Sequence, residues 1–144
     1  MKVEIENGKL VQVIDFMYGL KLARKHSRFR RRLIDLLREK ARIVEEDRIE
    51  LLKEHSNKDE NGEAIIINGK YDVIDMVAFN NDLKELYAEK VVIEGGDHRE
   101  MIRTIKQALK KFEDVEYEGK ESETYDYLCD QFKIDENEEG EDEE

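Results

Sequence analysis

Proline is missing altogether from the 144 residues, although ordinary usage of about 5% would supply roughly seven. Helix interiors reject proline, so its absence favours a helical chain. Cysteine is limited to Cys129, which excludes an internal disulfide and any zinc site built from several thiolates of one chain. No run reaches the eighteen or so apolar residues that a bilayer-crossing helix needs, and residues 1–6 lack the apolar stretch of a signal peptide. A protein that stays in the cytoplasm where it is made, with no membrane contact, is therefore expected. The eight glycines never fall into a Gly-x-Gly-x-x-Gly or P-loop pattern, so no nucleotide cradle is expected.

What the chain does have is charge, at 43% of all residues, with a net of −12. The charge is polarised. Between residues 21 and 42 there are ten basic side chains against only Asp35 and Glu39, whereas residues 113–144 hold sixteen acids against Lys120 and Lys133. Such a distribution serves an intermolecular contact, or lets an acidic tail cover a basic patch of the same chain. Residues 134–144 contain a single apolar side chain, too little to offset the entropy of ordering. The composition thus predicts one compact domain over residues 1–133 and a disordered acidic tail over 134–144.

Hydrophobic periodicity supplies the elements. Residues 2–6 alternate apolar and charged and run into Asn7-Gly8, a short strand closed by a turn. Leu10, Val13, Ile14, Met17 and Leu20 mark a first helix over residues 9–20. A second, long helix is predicted over residues 27–55, with Ser27 as its N-cap and Phe29, Leu33, Leu36, Leu37, Val44, Leu51 and Leu52 inward. Asn68-Gly69 between Ala64–Ile67 and Tyr71–Ile74 reads as a type I′ hairpin, whose two central residues need positive φ. A third helix carries Phe79, Leu83, Leu86 and Tyr87, and Val91–Ile93 reads as a strand ended by Gly95-Gly96. Met101 to Phe112 form a fourth helix, residues 115–117 a further strand, and Tyr125 to Phe132 a fifth helix. The fold class is α+β, predominantly α-helical, with about five helices, one of them long, and a small antiparallel sheet or hairpin.

The most conspicuous chemical feature is Arg28-Phe-Arg-Arg-Arg32 with Arg24 and Lys25 just before it. Arg24, Lys25, Arg28, Arg31 and Arg32 are the candidate partner-binding residues. A plain solvated face beside the core face is the simplest reading of the run, and a partner, either another protein or a segment of the same chain, is the first functional one. Nucleic acid ranks below it, because the excess of acid elsewhere repels DNA at long range. Homo-oligomers are a further possibility, since a long helix with leftover apolar surface tends to dimerise.

Other motifs read as structural. Asn57-x-Asp59-x-Asn61-Gly62 approaches a calcium loop, but position twelve is the neutral Asn68 where a bidentate Glu is required, so a hairpin-entry turn is expected. His26, His55 and His98 form no metal-binding pair. Asp97 reads as an ordinary N-cap, and Tyr117, Tyr125, Tyr127 and Phe132 as core around an unreactive Cys129. No catalytic residue, cofactor or metal is expected, and the chain does not read as an enzyme.

Residues 117–132, together with residues 5–10, Ser27-Arg28, Lys58-Asp-Glu-Asn-Gly62, Gly69-Lys-Tyr71 and Val91-Val-Ile93, resemble a family of small proteins of unknown function. That family is carried by tailed bacteriophages and prophages of Gram-positive bacteria. The resemblance covers nearly all of the chain except the acidic tail. Genes of that family lie near those for tail-tip, baseplate and lysis proteins, and the family has no catalytic residues to carry over. The resemblance implies a phage-encoded interaction module, a tail-region or virion accessory or an assembly factor whose partner is a phage structural protein or a host protein. The site of action would be the host cytoplasm or the virion. The acidic segment 113–144 raises a different reading, an inhibitor that offers carboxylates in place of phosphates to a host nucleic-acid-binding enzyme. Nucleic-acid binding through residues 28–32 is a third.

Overall fold

The computed structural model describes residues 1–136. In chain order the elements are β1 (Val3–Glu6), α1 (Leu10–Tyr18), α2 (Arg24–Glu54), β2 (Ile66–Ile67), β3 (Lys70–Tyr71), α3 (Met76–Ala88), β4 (Lys90–Ile93), α4 (Gly96–Lys110) and α5 (Gly119–Gln131). The α+β, mainly helical class is the observed one. The small sheet is in fact two separate antiparallel pairs, β1 with β4 and β2 with β3.

β1 pairs with β4 in the register Val3↔Ile93 and Ile5↔Val91. These four apolar residues point to the same side, as the period of two requires, and all are buried. The core they face is built from Val13 and Met17 of α1, Phe29, Leu33, Ile34 and Leu37 of α2, Met101, Ile105 and Leu109 of α4, and Tyr125 and Leu128 of α5.

α2 divides into two halves. Its buried residues, Phe29, Leu33, Ile34 and Leu37, all lie in the first fourteen positions. Beyond them only Ala41 and Val44 of the helix still pack against the main core, partly buried, and the far half packs on α3, while the β2–β3 hairpin closes the far end. The 31 residues of the helix span about 46 Å at roughly 1.5 Å each.

The hairpin turns on Asn68 (φ 53°) and Gly69 (φ 79°), both left-handed as a type I′ turn demands. Its strands are only two residues long, extended by isolated bridges Ser56↔Val73 and Lys58↔Ala64.

Several boundaries differ from expectation for identifiable reasons. α2 starts at Arg24, not Ser27: the Ser27 amide is already bonded to Ala23 O at 3.5 Å, so Ser27 lies inside the first turn and cannot cap it. α4 starts at Gly96 with Gly95 (φ 95°) as its cap, which places Asp97 within the first turn and leaves it no capping role. The strand expected at residues 115–117 does not form, because Val115 faces solvent and Tyr117 turns inward onto Phe16 and Tyr125.

Ile134, placed in the tail by the sequence, is 6% exposed and belongs to the core. α5 ends in a Schellman motif: Lys133 is left-handed (φ 53°), its amide bonds Asp130 O, and the Ile134 amide bonds Cys129 O at 3.0 Å. That turn folds Ile134 back onto the helix it terminates. The rest of the tail, from residue 137, lies outside the described residues.

Candidate interaction surfaces

The first surface is the start of α2. Arg30 points backward from it and donates to the carbonyls of Met17, Tyr18 and Leu20 at 2.9, 3.2 and 2.5 Å, satisfying acceptors at and just beyond the C-terminal end of α1. This fixes the angle between α1 and α2, and it makes Arg30 structural.

The five candidate residues split into two groups. Lys25 pairs with Glu100 of α4 at 3.0 Å, and its ammonium lies 5.9 Å from the Phe29 ring. Arg32 holds its guanidinium 4.7 Å from the centroid of the same ring. Glu100 is held below the usual carboxylate range, first by its hydrogen bond to Lys25 and further by Arg32 and Arg103. The first turn of α2 contains no acid of its own, and cations there oppose the helix dipole. Glu100 supplies the missing negative charge from α4.

Arg24, Arg28 and Arg31 form the second group. They are exposed, recur at i, i+4 and i+7 on one ridge of the helix, and have no hydrogen-bonding, ion-pair or ring partner among the described residues. Of the basic run, these three are available to another molecule. Beside them His26 Nδ1 lies 3.0 Å from Nζ of Lys111, the residue that caps the end of α4.

A second surface, not anticipated from the sequence, lies at the other end of α2. Asp47, Glu50 and Glu54 of α2 face Asp82 and Glu85 of α3, and Glu89 just past its end, across an open groove of about 480 Å³, with Leu51 and Leu86 also lining it. Lys53 reaches Glu50 at 3.5 Å, and His55 Nε2 reaches Asp82 at 2.6 Å while its ring packs edge-on to Phe79. Asp47, Glu54, Glu85 and Glu89 have no ion pair among the described residues. α2 offers its acids at i, i+3 and i+7 and α3 at i and i+3, spacings present in the sequence but unremarkable in a chain so rich in acid. Among the described residues no group of three or more potential ligands is placed to hold a metal ion.

Past this groove, Ile66, Ile67, Ile74, Met76 and Val77 are all more than half exposed around the hairpin and the start of α3.

The remaining sequence candidates are accounted for by packing. Asp59 Oδ1 accepts the amides of Asn61 and Glu63 at 2.9 and 3.0 Å, so its carboxylate shapes the hairpin-entry turn. Tyr125 donates its hydroxyl to Leu109 O at 2.8 Å, and the Tyr127 hydroxyl accepts the Glu6 amide at 3.0 Å. Burial pushes the Cys129 thiol up, the opposite of activation. A shallow cavity of about 270 Å³ beside this cluster is lined by Phe16 and Tyr117 with Asp15, Lys120 and Glu121 at its edge. Among the described residues no helix is long and apolar enough to cross a membrane.

Compared with protein-family models, curated proteins and solved structures, the chain matches none.

Proposed function

We propose that the protein is a non-enzymatic, phage-encoded interaction module that engages a protein partner through the arginine ridge at the start of α2. The observation that carries this reading is the division of the basic run. Lys25, Arg30 and Arg32 are spent on α4, α1 and Phe29, whereas Arg24, Arg28 and Arg31 project outward at helical spacing without a partner among the described residues. Lys25 and Arg32 form the margin of the surface, held in place by Glu100 and Phe29.

Guanidinium groups on a single helical ridge suit carboxylates on a folded partner, since each presents a planar fork of donors. A tail-region protein of the phage or a host protein with an acidic face is the partner class. Tagged protein recovered from phage-infected cells, with the R28E/R31E variant alongside, tests this. One identified partner retained by the wild type and lost with the variant is the expected result. Equal recovery by both proteins would overturn the role of the ridge.

A further inference from the structure

The arginine ridge and the acidic groove match each other in spacing as well as in charge. Arg24, Arg28 and Arg31 span seven residues of α2. Asp47, Glu50 and Glu54 also span seven on it, facing Asp82 and Glu85 of α3 and Glu89, the extended residue that caps α3. The two sets on α2 therefore each cover about 10 Å along its axis. The groove presents three carboxylates on either side, with Leu51 and Leu86 also lining it, and among the described residues only Lys53 and His55 draw on any of them. The ridge has nothing to draw on it among the described residues.

These two surfaces cannot meet within one molecule. Arg28 and Glu50 stand on the same helix 22 residues apart, about 33 Å, which is farther than the two side chains can bridge.

We infer that the groove receives the arginine ridge of a second copy of this chain. The inference rests on reading the ridge as a contact surface, and it names the partner. Because the two surfaces differ and lie at opposite ends of α2, a second copy either closes the contact reciprocally in an antiparallel pair or passes it on head-to-tail, into a ring or a chain according to the rotation between copies. A contact made from exposed charges is screened by salt and loses strength as ionic strength rises.

Sedimentation velocity of the full chain, over a concentration series at 25 and 400 mM sodium chloride, reads this directly. At low salt the wild type is expected to rise above the 17.1 kDa of the monomer with concentration, to a dimer where the contact closes reciprocally and beyond it where it propagates, and to return to the monomer at high salt. R28E/R31E and E54K/E85K alter only exposed residues, and each alone should remain monomeric with unchanged helical circular dichroism. Mixing the two variants restores complementary charge and should restore association.

A wild type that stays at 17.1 kDa at low salt throughout the series overturns the inference, as does an E54K/E85K variant that associates like the wild type. The first result would leave the groove to a foreign basic partner and the ridge to another acidic one, including residues 137–144. Loss of the captured partner by R28E/R31E, alongside a monomeric wild type, would keep the proposed contact role of the ridge and remove only the second copy.

Discussion

Nζ of Lys111, at the C-cap of α4, sits 3.0 Å from Nδ1 of His26 in the first turn of α2. An ammonium donates and has no lone pair, so the imidazole nitrogen facing it must accept and is neutral. Desolvation lowers the His26 pKa first, and the charges of Lys111 and Lys25 lower it further.

The sign of the pH effect follows. In the unfolded chain His26 binds its proton near pH 6.5, whereas in the folded protein it does so only at lower pH. The His26 contribution to stability is fully present above about pH 6.5 and is lost as pH falls through the folded-state value. An NMR titration of the His26 ring should give a pKa below the ordinary imidazole value. Lys111→Met should move it upward, and an unmoved value would separate the shift from Lys111.

Arg30 should be the most consequential member of the basic run for stability and the least for binding. Its guanidinium donates to three carbonyls at the end of α1, and hydrogen bonds to charged groups contribute about 1.5–3 kcal/mol each at most in mutational series. Arg30→Ala is expected to lower unfolding free energy in urea by about 2 kcal/mol. Arg30→Lys should recover part of this, because all three bonds come from the single Nη1 and an ammonium keeps a charged donor there on a shorter stem. Arg28→Ala, on the exposed ridge, should change stability by less than about 0.5 kcal/mol.

The two halves of α2 should behave as regions of different stability. Leu33 is completely buried, and Leu33→Ala is expected to cost about 2–5 kcal/mol. Ile43 is 39% exposed, and Ile43→Ala should cost under about 0.5 kcal/mol. Native-state amide exchange should show strong protection through residues 29–37 and faster exchange towards residues 45–54, where no side chain of the helix is fully buried. Uniform protection along the helix would contradict this division.

How far the sequence reveals the fold depends on whether the determining forces are local. Asn68-Gly69 is legible because both positive φ angles are properties of those two residues. The long helix is legible because its apolar stripe repeats over seven turns. Its start is not, because nothing local favours Arg24 as a first residue, with its φ of 51° and no capping side chain. The carboxylate that makes a basic helix start tolerable, Glu100, comes from an element 75 residues away.

Ile134 shows the same distinction from the other end. Composition assigns it to the acidic tail, yet the left-handed Lys133 returns it to the core. A left-handed residue other than glycine or asparagine leaves no sequence signature. At the arginine run, the sequence identifies the residues but not their division, since Lys25 and Arg32 are withdrawn by contacts with Glu100 and Phe29 that depend on how α4 crosses α2. The acidic groove requires knowing that α3 lies beside the far half of α2, which periodicity on either helix alone does not convey.

The length of α2 has a metrical consequence. One uninterrupted helix without a proline or glycine holds the arginine ridge and the acid-bearing end at a fixed separation, because a straight helix stretches very little. The helix thus acts as a gauge. Removing seven residues from its exposed middle would shorten it by about 10 Å and turn its far end by only about 20°, so spacing can change while orientation is nearly kept. Any larger structure built on both ends would inherit its repeat distance from the number of residues between Arg31 and Asp47.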